Sequence, residues 1–146
     1  MYLMVDIVTN HMAYNGCRNC VDYSIYNAEF RDSSHFHLPP CAIDFNNNDE
    51  TQLDQCWSGD DVVALPDLKT ETSYVRDVFN KWITQIVTKY KLDGLRIDSA
   101  RSIEKSFFKG FGQAAGVYQI GEVFDGDPTR IASWNGAIDG LFNYPA

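Results

Sequence analysis

Five reactive polar side chains stand at the ends of short apolar runs typical of strands: Asn10, His11, Arg96, Asp98 and Glu122. Residues two apart on a strand point to the same face, so Arg96 can hold the Asp98 carboxylate ionised and oriented. Glu122 follows a largely apolar strand, and apolar surroundings favour a neutral carboxylic acid. One charged and one protonated carboxyl group can together break a glycosidic bond. A structural ion pair and a solvated strand end fit the same residues, so alone they indicate only an acid–base enzyme.

These side chains need a scaffold that gathers the ends of several strands. The pattern of apolar residues predicts strands at residues 2–8, 95–98, 117–123 and 139–143, and helices at about 73–91 and 102–115, with a short helix near 130–134. The first strand reads as buried on both faces, so Asp6 within it requires a polar partner. Alternating strands and helices predict an α/β fold with a parallel sheet, whose functional residues collect at the carboxyl ends of the strands.

A long irregular stretch separates the first strand from the first helix. From about residue 11 to 69 the chain is rich in Asn, Asp, Gly, Pro and Cys, and it lacks a sustained period. Such a connection is unusual unless it is functional or a small subdomain. It holds two local cysteine pairs, Cys17/Cys20 and Cys41/Cys56, for which structural disulfides, free thiols and metal or redox chemistry stay open. Disulfides would favour a secreted, extracellular protein over an intracellular one.

Composition narrows the class of protein further. The 146 residues carry 12 Lys and Arg against 20 Asp and Glu, a formal net charge of −8, and 45% of them are hydrophobic. The length and composition fit at most one compact domain. The excess of acidic residues argues against binding to nucleic acid or to an anionic membrane, since both need clustered positive charge. No apolar run approaches the roughly 20 residues that span a bilayer, and no signal peptide is expected at the first residues.

Several motifs, taken together, resemble a known family. Asp6–His11, Leu65–Asp67, Gly94–Asp98 and Gly121–Val123 look like four ordered motifs of the alpha-amylase family of glycoside hydrolases. Residues 114–118, 123–128 and 139–145 are similar to fungal alpha-amylases in particular. The resemblance covers almost the whole chain, and several motifs in the right order are far more specific than any one of them.

The resemblance implies an α/β fold that is part of a (β/α)8 TIM barrel. Residues 1–11 would form barrel strand three, and residues 12–68 an irregular, calcium-associated subdomain inserted after it. Residues 69–146 would continue the barrel through strands four and five to the start of strand six.

The resemblance also implies catalytic roles for the reactive side chains. Asp98 matches the nucleophile, Glu122 the general acid/base and Arg96 the residue that orients the nucleophile. His11 and Arg101 match substrate-contacting positions. A retaining mechanism would place the two carboxyl groups about 5 Å apart.

A structural Ca²⁺ is implied by the same resemblance. Its ligands would be the Asn10 amide, the Asp54 and Asp67 carboxylates and the backbone carbonyl of Ser102, which are the hard oxygen donors that Ca²⁺ prefers. The resemblance further implies a disulfide between Cys41 and Cys56, and it matches no pairing for Cys17 and Cys20.

One departure from the family leaves the reaction open. Arg101-Ser102 replaces the usual Lys-His after the nucleophile, which changes contacts on the acceptor side. We therefore expect an endo-acting retaining alpha-amylase, with a glucan transglycosylase of the same family acting in cell-wall α-glucan metabolism as the alternative. A non-catalytic glucan-binding homologue is a third interpretation, against which Asp98 and Glu122 argue. A phosphate- or nucleotide-binding α/β domain fits poorly, because no Gly-rich loop follows a strand.

The length of the chain is short for such an enzyme. A complete barrel needs at least about 200 residues, and the third catalytic carboxylate of the family belongs to a later motif that this chain does not contain. We expect an internal fragment, inactive by itself, of a monomeric enzyme that acts on starch- or glycogen-type α-glucans.

Overall fold

The computed structural model describes residues 1–47 and 49–146. The strands are β1 (Met4–Val8), β2 (Tyr14–Asn15), β3 (Ser58–Gly59), β4 (Val63–Leu65), β5 (Gly94–Asp98), β6 (Tyr118–Gly121) and β7 (Gly140–Leu141). The helices are α1 (Glu50–Gln55), α2 (Ser73–Tyr90), α3 (Lys105–Ala115) and α4 (Pro128–Ala132). The chain divides into a first unit, Met1–Thr9 with Thr70–Ala146, and a second unit, Asn10–Lys69. Among the described residues, no helix has the length and apolar character to span a membrane.

The first unit is built on a four-stranded parallel sheet. Its strand order is β1-β5-β6-β7, and every neighbouring pair is parallel. Leu95 and Ile97 of β5 are completely buried, as are Val75 and Ile83 of α2, while Phe107, Phe108 and Phe111 of α3 are almost so. The predicted α/β fold with a parallel sheet is therefore confirmed, and this sheet is consistent with part of a (β/α)8 barrel.

Helix α2 follows the sequence pattern closely. The Thr72 hydroxyl accepts a hydrogen bond from the Val75 N–H at 3.4 Å and so caps the helix start. The buried side chains Val75, Phe79 and Ile83 recur at four-residue steps along one face. The helix ends at Lys91, which has a left-handed backbone (φ 52°).

Helix α3 begins later than its sequence predicts. It starts at Lys105, and residues 100–102 form a separate 3₁₀ turn. Ile103, between the two, is extended (φ −131°, ψ 134°), which prevents the turn from continuing into the helix. At its other end Gly116 takes a left-handed conformation (φ 64°) that favours glycine, so this glycine ends α3, in agreement with the predicted end at residue 115.

Strand β1 differs from its prediction. Of its five residues only Ile7 is buried, while Met4 and Val8 are 49% and 42% exposed. The prediction that both faces are buried is wrong for this chain. β1 lies at the end of the sheet order and, within the described residues, pairs with β5 alone, so the apolar residues of this edge strand stay partly exposed.

The second unit is mostly irregular, as predicted, around a small antiparallel sheet of order β2-β4-β3. Four 3₁₀ turns, at residues 18–20, 23–25, 28–30 and 33–35, and the short helix α1 complete it. Phe36 and Trp57 are fully buried, and the Trp57 indole N–H donates to the His37 carbonyl at 2.8 Å. Disulfides join Cys17 to Cys20 and Cys41 to Cys56, which confirms the structural-disulfide interpretation of these cysteines.

Candidate active site

Arg96 is the centre of a carboxylate cluster at the end of the parallel sheet. Its Nη1 donates to Asp98 Oδ1 and, at 2.8 Å, to Asp6 Oδ1 of the neighbouring strand, because the sheet register sets Asp6 opposite Arg96. Its Nη2 lies 2.8 Å from Glu122 Oε1. One guanidinium therefore holds three carboxylates, including Asp6, whose side chain is 64% exposed and so does not depend on this partner.

Asp98 is kept ionised by its contacts. Partial burial raises the pKa of this carboxyl, but hydrogen bonds from Arg96 and from the Ser99 hydroxyl, the positive charge of Arg96 and a hydrogen bond with Glu122 outweigh it. The net result is an Asp98 pKa below its usual range. The same three carboxylates raise the pKa of Arg96, although burial opposes them. Asp98 can thus present a negative charge over a wide pH range.

Glu122 lies one residue beyond β6, where its backbone N–H donates to the Ile97 carbonyl at 2.9 Å. Its Oε2 accepts from the Ser99 N–H at 3.0 Å, and its Oε1 accepts from the Tyr144 hydroxyl at 3.0 Å. The expectation of apolar surroundings is wrong, because loops after β5 and β7 bring polar groups to the carboxyl. Glu122 and Asp98 share both Arg96 and Ser99 as partners, so the structure brings this predicted pair together.

Two residues of the cluster were missed from the sequence. Ser99 carries no signal apart from following Asp98. Tyr144 belongs to the string at residues 139–145 that resembles fungal alpha-amylases, yet no role was predicted for it. Burial and hydrogen bonding to Glu122 raise the Tyr144 pKa, so its hydroxyl stays a donor. Its ring also contacts Phe124, with centroids 4.8 Å apart.

Arg101, a predicted substrate contact, is engaged within the protein. Its Nη1 donates to the Phe124 carbonyl at 2.8 Å, and its Nη2 lies 2.9 Å from Asp125 Oδ2. Asp125 is buried and also receives Arg130 Nε at 2.6 Å. Arg101 thus ties the loop after Glu122 to the turn after Asp98, and Arg130 ties the same loop to α4. Substrate contact by Arg101 stays a prediction.

Asp125→Asn is expected to destabilise the protein at neutral pH. Hydrogen bonds from Arg130 lower the Asp125 pKa to about 2 against burial, with help from the Asp127 N–H and Arg101. A depressed pKa adds stability above the unfolded-state value near pH 4, and this is lost as the pH falls toward about 2. We expect a loss of about 2 kcal/mol at neutral pH, shrinking below about pH 4, in urea unfolding of the full-length protein that carries this chain.

Asp127→Asn is the matched control. Asp127 also contacts Arg130, at 2.9 Å, but its side chain is 37% exposed, and asparagine can replace it in capping α4. Equal losses in the two variants, or a loss for Asp125→Asn that does not depend on pH, would contradict the role given to the buried carboxylate.

Asn10 and Asp67 come together in the second unit. Residues 11 and 67 form an antiparallel bridge, and the Leu68 N–H donates to the Asn10 carbonyl at 2.9 Å. Both side chains are buried, and Asn10 Oδ1 accepts no hydrogen bond within the described residues. Asp67 Oδ2 lies 2.7 Å from His37 Nδ1. A buried amide oxygen without a donor beside a buried carboxylate is the donor chemistry that Ca²⁺ takes.

The remaining predicted site residues lie elsewhere. His11 is half-buried in the second unit, and its Nδ1 lies 3.3 Å from the Asn10 amide nitrogen. Asp54 is half-buried in α1, and Ser102 is buried in the first unit. No group of three or more His, Cys, Asp and Glu side chains in the described part of the chain is arranged to hold a metal ion. The complete ligand set therefore stays a prediction.

The family to which these features belong is shown by sequence. The alpha amylase catalytic domain matches residues 1–139. This chain belongs to the alpha-amylase family.

Individual relatives agree with this assignment. The chain is 50% identical over 145 residues to alpha-amylase 2 of Schwanniomyces occidentalis, which covers 99% of the chain and 28% of that protein. It superposes on an alpha-amylase from Malbranchea cinnamomea with a TM-score of 0.93 and 44% identity, over 99% of this chain and 30% of the other. It superposes on the alpha-amylase from Geobacillus thermoleovorans, in complex with acarbose, with a TM-score of 0.80 and 29% identity. That match covers 99% of this chain and 31% of the other. The chain thus spans less than a third of these proteins, and the predicted fungal resemblance is confirmed.

Proposed function

We propose that the protein carrying this chain is an endo-acting alpha-amylase that hydrolyses α-1,4-glucosidic bonds of starch- or glycogen-type glucans with retention of configuration. The observation that supports this most directly is the pair of Asp98 and Glu122 held on the single guanidinium of Arg96. An ionised carboxylate beside a carboxyl that can carry a proton is the pair required for double displacement.

In the proposed reaction Asp98 attacks the anomeric carbon while Glu122 gives its proton to the glycosidic oxygen, so the C–O bond breaks and a glycosyl ester forms. Glu122, now a carboxylate, removes a proton from water, whose oxygen attacks the same carbon and releases Asp98. The lowered pKa of Asp98, which Arg96 and the Ser99 hydroxyl favour, supports its role as the ionised nucleophile in the first step.

The experiment uses the full-length protein with soluble starch and with a maltooligosaccharide of defined length. Proton NMR of the first products distinguishes α- from β-anomers, and chromatography measures chain length. We expect α-anomeric products that are shorter than the substrate and are released from internal bonds. β-Anomeric products would exclude retention, and no turnover with intact binding would leave a glucan-binding protein.

Products longer than the maltooligosaccharide would identify a transglycosylase instead. Arg101-Ser102, which replaces Lys-His on the acceptor side, is the feature that favours this second candidate. Adding a labelled acceptor sugar separates the two reactions, because a transferase incorporates the label and a hydrolase does not.

We further propose that Asn10 and Asp67 hold a structural Ca²⁺ together with Asp54 of the same unit, and that residues 12–68 form an inserted subdomain. The buried Asn10 Oδ1, which accepts no hydrogen bond from the described residues, supports this assignment. When bound, Ca²⁺ would contribute structural cross-linking between loops and no chemistry on the sugar.

Removal of calcium is expected to lower the melting temperature of the full-length protein. A ligand that binds only the folded state stabilises it by mass action, so a chelator should reduce the Tm by roughly 5 to 10 °C and added Ca²⁺ should restore it. Asn10→Ala should melt lower than wild type and respond little to either treatment. Differential scanning calorimetry measures both effects without reference to activity.

Asn19→Ala is the matched control, since Asn19 is an exposed asparagine in a 3₁₀ turn of the same unit. It should keep the calcium response of wild type. A wild-type Tm unaffected by chelation, or an Asn10→Ala variant that responds fully, would overturn the calcium assignment.

We also propose an extracellular, monomeric enzyme whose partner is an α-glucan. The two disulfides support an oxidising compartment.

A further inference from the structure

Ser99 has an unusual backbone for a residue with a side chain. Its φ and ψ angles are 51° and 30°, in the left-handed region that non-glycine residues rarely adopt. Such a conformation is unfavourable for a residue with a side chain, and where the surrounding structure maintains it the strain often serves a functional site. Ser99 lies between the proposed nucleophile and the turn that follows it.

Both donors of Ser99 point at the proposed catalytic carboxyl groups. The hydroxyl donates to Asp98 Oδ2 at 2.9 Å, and the backbone N–H donates to Glu122 Oε2 at 3.0 Å. Serine at the start of a helical turn commonly accepts a hydrogen bond from the N–H groups of that turn. Ser99 precedes the turn at 100–102 and makes no such cap. Its hydroxyl is directed to Asp98 instead.

We propose that Ser99 is a positioning residue for glycosyl transfer: its hydroxyl fixes and stabilises the ionised Asp98, and its left-handed backbone aims its N–H at Glu122. This role of Ser99 rests on the proposed function, and it adds Ser99 to the residues proposed to act in the reaction. Arg96 occupies Asp98 Oδ1. The Ser99 hydroxyl donates to the second oxygen, Oδ2. With one donor on each oxygen, the Asp98 carboxylate is restricted in its rotation.

The charged groups around Asp98 explain why the Ser99 hydroxyl can add stabilisation to its carboxylate. Arg96 faces Asp98 from the same strand, Glu122 faces it from the end of β6, and Asp6 of β1 shares the guanidinium. From the segment after β7, Tyr144 reaches Glu122. Because Arg96 is divided among three carboxylates, a neutral donor dedicated to Asp98 adds stabilisation that the guanidinium does not supply alone. The lowered Asp98 pKa, to which the hydroxyl contributes, agrees with this.

The kinetic test compares Ser99→Ala with wild type in the full-length protein, on soluble starch across pH. Loss of one hydrogen bond to a charged group corresponds to about a tenfold fall in kcat/KM. The acid limb of the pH profile should move up by about one pH unit, since the Asp98 carboxylate becomes easier to protonate. We expect kcat to account for most of the loss and KM to change little.

Two further substitutions separate the hydroxyl from the backbone. Ser99→Gly removes the hydroxyl, keeps the N–H and relieves the left-handed strain, so it should show the same displaced acid limb as alanine. Ser99→Thr keeps a hydroxyl and should keep the wild-type acid limb, whatever its β-branch costs in stability. Ser106→Ala, an exposed serine on α3, is the control and should leave the profile unchanged.

A measurement without substrate keeps the inference separable from the proposed function. In a double-mutant cycle at neutral pH, Ser99→Ala should lower the Tm when Asp98 is present and have little effect in an Asp98→Ala background. An inactive wild-type protein would contradict the proposed function. The double-mutant cycle would still measure the contact between Ser99 and Asp98, because it needs no substrate. Additive effects in the cycle, or a wild-type acid limb in both Ser99→Ala and Ser99→Gly, would overturn the role of Ser99.

Discussion

Asp98→Asn is expected to lower kcat/KM on starch by about 10⁴-fold or more while the protein stays folded. The asparagine amide is nearly isosteric with the carboxylate, but it cannot attack the anomeric carbon to form a glycosyl ester. Arg96 can still donate to the amide oxygen, and the Ser99 hydroxyl can turn to accept from the amide nitrogen, so both side chains can remain in place around it. Initial rates on soluble starch, measured with circular dichroism as a check on folding, provide the comparison.

Asp77→Asn makes the same chemical change at an exposed position of α2 and should keep wild-type activity. The loss for Asp98→Asn should also persist with an aryl maltooligoside that has a good leaving group, because such a substrate needs little proton donation but still needs the nucleophile. If Asp98→Asn turned over starch at the wild-type rate, Asp98 would not be the nucleophile.

Replacement of Arg96 should produce the second-largest effect. Arg96→Met leaves Asp6, Asp98 and Glu122 without their shared cation, and we expect kcat/KM to fall by about 10³-fold. Arg96→Lys keeps the charge but cannot contact separate carboxylates with Nη1 and Nη2, so its activity should lie between Arg96→Met and wild type. Both variants should move the acid limb of the pH profile upward.

Stability should follow the same electrostatics. A carboxyl whose folded pKa is lowered, as for Asp98, contributes stability above its unfolded value near pH 4 and loses it as the pH falls further. The stability difference between wild type and Arg96→Met should therefore be largest at neutral pH and shrink on acidification.

Arg76→Lys is the control for the kinetic effect of Arg96→Met. It weakens the 2.6 Å ion pair with Glu104 but lies outside the carboxylate cluster, so it should keep wild-type kinetics. If Arg96→Met showed the same kinetics as Arg76→Lys, Arg96 would have only a structural role as part of an ion pair.

The parts of the fold that follow from local sequence were predictable. Helix α2 has an apolar stripe and a Thr72 cap, and Gly116 ends α3, because capping and periodicity act over a few residues. The start of α3 was misplaced at Ser102. The left-handed backbone of Ser99 and the extended Ile103 have no distinctive pattern in the sequence.

The candidate site divides along the same line. Arg96, Asp98 and Glu122 were identifiable, because motif order and the carboxyl ends of parallel strands placed them together. The surroundings of Glu122 were not, because Tyr144 and Ser99 reach it from separate loops. The position of Arg101 as a clamp on Asp125 likewise depends on a contact across 24 residues of chain.

The parallel α/β class, the family and the candidate pair of carboxyl groups could be identified from the amino-acid sequence, since they depend on periodicity and on the order of motifs. The division of one guanidinium among Asp6, Asp98 and Glu122 follows from the three-dimensional structure alone, and so does the contact of Ser99 with both proposed catalytic carboxyl groups. Strand register brings Asp6 beside Arg96, and one backbone conformation turns Ser99 toward both acids. Such contacts join residues distant in sequence through geometry that no local pattern encodes.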